Sequence, residues 1–303
     1  MPEIEQITDF IIGIVMIIGG MHGNELTGVH LIKLFEQFPH LIQRSGFQIQ
    51  TLLANPEAIA QCRRYIETDL NRRFNNQDLH NLTLSSFEDK LARQIYNNLK
   101  SQIQSQINMF VDLHSTTANM GLTLILIKLD PWLLQLAVYL SSINPEVRVL
   151  YIPSHAADGF LISQCELGFA LEVGPVPQGV LNAVLFQKTK SIIYAIFDYV
   201  QAFNQGSIQS QTNTLTLYEY VRTIDYPRNE HGEIQAMIHP QLQSRDFEPL
   251  NPGEPIFLTF DEETITYKGT STVFPIFINE AAYYEQGTAM CLTNKRQIIV
   301  EAS

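Results

Sequence analysis

His22 and Glu25 stand in Gly19-Gly20-Met21-His22-Gly23-Asn24-Glu25, directly after the apolar run Ile11–Ile18, and His114 closes a second apolar run, Phe110-Val111-Asp112-Leu113-His114. Two strand ends thus present metal-binding side chains. A His-x-x-Glu pair with a distant histidine offers two imidazole nitrogens and one carboxylate, a set that on Zn²⁺ leaves a fourth tetrahedral position for water. Open sites of this kind are catalytic. The spacing does not suit a helical zincin, which needs two histidines four apart on one helix face. It suits a loop at the C-terminal end of a strand, where open α/β sheets place their ligands, and the glycines at 19, 20 and 23 let the backbone turn there. Taken alone, the short motif is equally satisfied by a His22 that caps the next helix or bonds a carbonyl.

Residues two apart in a strand face the same side, so Asp112 and His114 project together. Asp112 can then orient the imidazole and raise its basicity, or else cap a neighbouring loop. Glu172, in Phe169-Ala170-Leu171-Glu172-Val173-Gly174, is a carboxylate at the end of another strand. Arg63, Arg64, Arg72 and Arg73 fall in one short window, an unusual density of guanidinium groups that suggests a small anionic ligand. For Arg63 and Arg73 a solvated, self-compensated surface is the plainer reading.

The 303 residues, 45% of them hydrophobic, can bury a full core. Nineteen basic against thirty-one acidic side chains give a formal charge of −12, which argues against nucleic acid as a partner. No run reaches the roughly eighteen apolar residues of a membrane span, and Met1-Pro2-Glu3-Ile4-Glu5 is acidic where a secretory signal is basic, so no membrane partner and a cytoplasmic location are expected. Cys62, Cys165 and Cys291 are odd in number and lack any Cys-x-x-Cys pairing, which indicates neither a disulfide framework nor sulfur-ligated zinc.

Short apolar runs alternate with helical patterns through the first two hundred residues, the order of a mainly parallel sheet covered by helices. The strands expected are Ile11–Ile18, Phe47–Ala54, Ile107–Leu113, Leu122–Ile127, Val147–Ile152 and Phe169–Val173. Helices are expected over Leu26–Phe38, after a capping box of Ser85 and Glu88, and over Asp130–Ile143 and Asn182–Phe203. A polar stretch at 204–213 reads as a linker. Beyond it Leu215–Ile224, Pro255–Thr259, Thr264–Tyr267 and Val273–Ile278 are short β-rich runs.

Several further motifs occur in order: Asn55-Pro56-Glu57-Ala58, Arg64-Tyr65, Asp69-Leu70-Asn71-Arg72-Arg73-Phe74, Asp112-Leu113-His114-Ser115-Thr116-Thr117 and Leu171-Glu172-Val173-Gly174-Pro175-Val176-Pro177-Gln178-Gly179. With Gly-x-His-Gly-Asn-Glu they resemble the aspartoacylase and succinylglutamate desuccinylase family over nearly the whole chain, including Asp225-Tyr226-Pro227-Arg228, Ile238-His239-Pro240 and Asn279-Glu280-Ala281-Ala282-Tyr283-Tyr284. The resemblance implies a zinc-carboxypeptidase-like α/β/α catalytic domain over residues 1–205. A smaller mostly-β C-terminal domain, 206–303, would narrow the channel to the metal. It implies one Zn²⁺ per subunit on His22, Glu25 and His114, Glu172 as general base, and Arg64 facing the oxyanion of the tetrahedral intermediate. Asn71, Arg72 and Tyr283 would hold the substrate carboxylate, and assembly into a homo-oligomer is a mild expectation.

The activity so implied is deacylation of an N-acyl-L-amino acid, first of all N-acetyl-L-aspartate to acetate and L-aspartate. One departure bears on this. The family's animal aspartoacylases carry, ten positions before the general base, an arginine that grips the aspartate side chain; here ungapped counting puts Ile162 there, and the nearest aromatic to their accompanying tyrosine is Phe160. Deacylation of another N-acyl amino acid, aromatic or succinylated, is therefore the alternative. A non-catalytic metabolite-binding protein is disfavoured, because binding alone needs no general base, and a true carboxypeptidase carries similarly little weight.

Overall fold

The computed structural model describes residues 10–105, 108–208 and 212–301; the acidic N-terminal residues 1–5, Ile107 at the start of one expected strand, and residues 209–211 of the polar linker lie outside it. The first part of the chain runs β1 (Ile14–Gly19), α1 (Leu26–Gln37), β2 (Gln48–Leu53), α2 (Pro56–Ala60), α3 (Asn76–His80), α4 (Phe87–Ser105), β3 (Asn108–Ser115), β4 (Gly121–Leu126), α5 (Pro131–Ile143), β5 (Val147–Tyr151), β6 (Leu167–Gly174) and α6 (Ala183–Asn204). All six expected strands and all four expected helices are present, with ends moved by a few residues. No helix among the described residues is long and apolar enough to cross a membrane.

These strands read as continuous apolar runs because both of their faces are covered. Val15 and Ile17 of β1, Val111 and Leu113 of β3 and Phe169 and Leu171 of β6 pack with Ile32 and Phe35 of α1, Trp132 and Leu136 of α5 and Ile193 and Phe197 of α6. Met16, Ile18 and Phe110 point the other way, to Ala92, Ile95 and Leu99 of α4. The alternation puts Asp112, His114 and Glu172 on that second face, where polar residues interrupt an otherwise apolar pattern. His114 and Glu172 are direct partners in the parallel register of β3 and β6.

After α6 the chain is almost wholly β: β7 (Asn213–Ile224), β8 (Ala236–Ile238), β9 (Pro255–Thr259), β10 (Thr264–Thr266), β11 (Phe274–Ile276) and β12 (Met290–Val300). β7, β12 and β11 continue the first sheet, giving the nine-stranded order β11-β12-β7-β5-β4-β6-β3-β1-β2, while β10-β9-β8 form a small sheet of their own. β4 runs antiparallel to β6 and parallel to β5, so the sheet is mixed.

Two local readings shift. The box that opens α4 is built one residue later than the sequence suggests, with Asp89 N–H donating to Ser86 Oγ at 3.1 Å and Ser86 N–H donating to Asp89 Oδ2 at 2.9 Å. Glu88 is taken elsewhere. Fully buried, it accepts the amides of Ile66, Glu67 and Thr68 at 2.7, 3.0 and 3.0 Å, and so pins the loop between Arg64 and Asp69. Among the glycines expected to turn the His22 loop, Gly20 has φ +69°, while Gly23 serves close approach: a Cβ there would lie 2.1 Å from the Ala58 carbonyl carbon and 2.3 Å from Ile59 N. Gly23→Ala therefore has to push the loop off the backbone of α2. A drop in the urea midpoint equivalent to about 1–3 kcal/mol or more is expected. An unchanged midpoint would mean that the loop does not seat against α2 in this way.

Candidate active site

The loop after β1 carries His22 and Glu25, and Glu25 sits at the N-terminal boundary of α1 without spending its side chain on the helix. It turns instead to the histidines: His22 Nδ1 lies 2.7 Å from Glu25 Oε1 and His114 Nδ1 lies 3.0 Å from Glu25 Oε2, with the Ser115 amide donating to Oε2 at 3.1 Å. The alternative of His22 as a simple cap does not occur. On their far sides both rings meet carboxylates, His22 Nε2 at 3.1 Å from Asp69 Oδ1 and His114 Nε2 at 2.9 Å from Asp112 Oδ2. His22, Glu25 and His114 are all buried, and their donor atoms lie within 4.8 Å of one another.

A carboxylate on each Nε2 draws that nitrogen's proton and turns the Nδ1 lone pair toward Glu25. Lone pairs facing a carboxylate repel unless a positive charge lies between them. When protons alone supply it, burial opposes charging His114, but Asp112 and Glu25 outweigh burial and hold that imidazole protonated well above its usual range. Glu25 shows the reverse: burial favours the neutral acid, and His22 and His114 override it, keeping the carboxyl well below the ordinary carboxylate range. A divalent cation provides the same compensation, and two imidazoles with one carboxylate are a donor set that suits it.

One cavity gathers these three with Arg64, Asn71, Arg72, Glu172 and Tyr283. Every site residue expected from the sequence therefore lines the same space. Arg64 donates through Nη1 to Glu25 Oε1 and through Nη2 to Asp69 Oδ2, both at 3.1 Å. Its Nε is buried with no hydrogen-bond acceptor among the described residues. Asn71 accepts the Leu161 amide at 3.1 Å, and the Arg72 guanidinium carbon stands 4.6 Å over the centre of the Phe160 ring. Burial raises the Glu172 carboxyl to about 8, with Glu25 and Glu280 adding to the rise and His114 and Arg64 opposing it. Burial likewise holds the Tyr283 phenol protonated far above its usual range.

The other features were less legible. Ile162 does not line the cavity; it is 1% exposed in an apolar cluster with Met120, Ile125 and Ala170, and Phe160 lines the cavity in its stead. Position 162 therefore faces the core and not the substrate space. Asp69 and Glu280 were not singled out. Both stand in motifs of the family resemblance without a role assigned to them; in the structure Asp69 faces His22 and Arg64, and Glu280 reaches across the fold to accept from the Thr116 hydroxyl, from Thr117 N at 2.7 Å and from Ala118 N at 3.1 Å. Glu280 thereby ties the loop after His114 to the turn that carries Tyr283.

A family model of the succinylglutamate desuccinylase/aspartoacylase catalytic domain matches residues 12–200, and one of the AstE/AspA barrel-sandwich hybrid domain matches residues 213–295. The chain belongs to the succinylglutamate desuccinylase/aspartoacylase family. Within it, a Nostoc protein named "Probable aspartoacylase" is 55% identical over 94% of this chain and 97% of its own. A human protein named N-acyl-aromatic-L-amino acid amidohydrolase (carboxylate-forming) is 40% identical over 95% of this chain and 92% of its own. The crystal structure of murine aminoacylase 3 superposes with a TM-score of 0.91 at 37% identity, covering 97% of this chain and 99% of that one. Succinylglutamate desuccinylase from Vibrio cholerae, at 17% identity, shares the fold with a TM-score of 0.64 over 96% of this chain and 86% of that one. The family's zinc-carboxypeptidase-like α/β architecture is thus the architecture of this chain.

Glu172 generates a pH dependence of known sign. A carboxyl whose folded-state pKa is raised above its unfolded value supports the fold while protonated, so its contribution is complete below about 4.5 and is lost as pH rises through about 8. In metal-free protein, Glu172→Gln is expected to melt above wild type at about pH 9, the gap closing toward about pH 5. A gap of equal size at both pH values would mean that burial does not disfavour the ion.

Proposed function

We propose that the protein is a zinc-dependent amidohydrolase that cleaves an N-acyl-L-amino acid into a carboxylate and a free amino acid. The observation that carries this reading is the convergence of His22, Glu25 and His114 with a buried Glu172 and with Arg64 in one cavity. His22, Glu25 and His114 would hold the zinc, which when bound supplies an acidified water and a Lewis acid for the amide carbonyl. Glu172 accepts the proton of the attacking water on its carboxylate and returns it to the leaving amine. Arg64 carries a second stabilising charge for the developing oxyanion in a site with little water to screen it. Arg72, with Asn71 and Tyr283, holds the substrate's α-carboxylate, since a planar guanidinium matches a carboxylate.

The cavity favours an apolar or aromatic side chain on the amino acid. Arg64 is already paired with Glu25 and Asp69, and apart from the imidazoles its only cationic companion among the described lining residues is Arg72. A second carboxylate therefore lacks a free cation. Ile125, Ile152, Phe160, Ala170 and Phe277 supply apolar wall instead. N-acetyl-L-aspartate, the substrate first expected from the sequence, remains the second reading and rests on the likeness to the Nostoc protein.

The test is a panel of N-acetyl-L-phenylalanine, -tyrosine, -aspartate and -asparagine with zinc measured on the same sample. Turnover is expected to vanish with a strong chelator and to return with Zn²⁺. Burying the aspartate side-chain carboxylate without a charged partner costs about 1.5–3 kcal/mol, which places the aromatic substrates roughly ten- to a hundredfold ahead of the aspartate derivative in kcat/KM. A preference of about a thousandfold for aspartate, some 4 kcal/mol, would install the second reading. Full turnover by zinc-free protein would remove the mechanism altogether.

Glu172→Gln should keep its zinc and its approximate KM while kcat falls by roughly 10²–10⁴. Near-normal kcat in the zinc-loaded variant would hand the proton transfer to another group.

A further inference from the structure

Three parts of the site meet at one carboxylate. Asp69 Oδ1 lies 3.1 Å from His22 Nε2 and accepts the Asn71 amide at 3.0 Å, while Oδ2 accepts from Arg64 Nη2 at 3.1 Å. From Arg64 the connections run on through Nη1 to Glu25 Oε1 at 3.1 Å and from that same oxygen to His22 Nδ1 at 2.7 Å. His22, Glu25, Arg64 and Asp69 thus form a closed ring of hydrogen-bonded side chains. The Asp69 side chain is 10% exposed, so water is a poor substitute for any of these contacts.

We propose that Asp69 is a positioning residue that fixes His22 and Arg64 relative to each other and sets the turn bearing Asn71 and Arg72 in the same frame. The proposal rests on the reading that His22 holds the metal and Arg64 faces the oxyanion. A carboxylate on Nε2 fixes the tautomer and the ring angle of a metal-ligating imidazole. The other oxygen grips one arm of a guanidinium whose second arm is held by Glu25, which leaves the plane of Arg64 little freedom. Asp69 also caps the short turn Leu70–Arg72 through the Asn71 amide. Displacing this one side chain therefore disturbs the metal, the oxyanion donor and the carboxylate clamp together.

Asp112 provides the contrast, because its one hydrogen-bonded partner among the described side chains is His114. Asp69→Asn keeps the shape and an oxygen for Asn71, but it removes the charge that Arg64 and His22 share. The experiment compares Asp69→Asn with Asp112→Asn by chelator competition for Zn²⁺, by kcat and KM at saturating Zn²⁺, and by melting of the zinc-free proteins. Zinc affinity is expected to fall about 10–100-fold in both. The zinc-saturated kcat should fall at least about tenfold further in Asp69→Asn, since Arg64 loses its placement there alone.

Equal kcat losses in the two variants would reduce Asp69 to a holder of His22 and overturn the proposal. So would wild-type zinc affinity and kcat accompanied only by a lower melting temperature. Should Asp69→Asn fail to fold, Asp69→Glu, which retains the charge and shifts it by one methylene, is read against Asp112→Glu by the same criteria. A wild-type protein that hydrolyses no N-acyl amino acid would refute the proposed function, and the zinc-affinity comparison would still decide whether Asp69 positions His22.

Discussion

Glu25 is the group around which the site must be built. A carboxylate that is 4% exposed has lost its water, and its charge persists only because His22, His114, Arg64 and the Ser115 amide all face it. Three of these partners meet a second carboxylate in turn: Asp69 faces His22 and Arg64, and Asp112 faces His114. The network cannot be opened at one place without leaving a buried charge alone. Breaking a buried pair by deleting one partner typically costs about 3–5 kcal/mol. Such a network is therefore weak evidence of stability gained and strong evidence of geometry maintained.

That geometry reaches the sheet through register. His114 and Glu172 occupy matched positions on adjacent parallel strands, so their spacing is fixed by backbone hydrogen bonds rather than by side-chain packing. The substrate side of the cavity is held differently, by long-range contacts between loops. Glu280 joins the turn of Tyr283 to the loop after His114, and Tyr65 donates to Glu285 at 2.6 Å across the same gap. Under the proposed function this puts the chemistry on strands and the recognition on loops, a division in which the amino acid recognised can change while the hydrolytic groups stay in place.

How much of this was legible in the sequence depended on how local each cause is. Strands buried on both faces give unbroken apolar runs, and strand ends bearing His22, His114 and Glu172 could be read from that pattern alone. The capping box slipped because Ser85-Ser86 and Glu88-Asp89 fit the same spacing twice, and only the tertiary demand of the amides at 66–68 for Glu88 decides between them. Counting back from Glu172 marks Ile162, but whether that side chain faces the cavity or the core is set by the path of the loop, which no count carries. Neither the antiparallel insertion of β4 nor the pairing of β7 with β5 leaves a local trace, since strand order is a property of the assembled sheet.

The continuation of the first sheet by β7 and β12 has a consequence for the newborn chain. His22, Glu25, His114 and Glu172 all leave the ribosome well before Tyr283 and Glu280, so the half of the cavity proposed to hold the metal is complete while the wall proposed to recognise the substrate has yet to be synthesised. Domains assemble from the N-terminus as they emerge. Until β7 arrives, the outer edge of β5 stands unpaired, an invitation to association with another nascent chain. Its closure therefore makes two events coincide: the end of a vulnerable interval in biogenesis and the completion of the cavity wall that carries Tyr283.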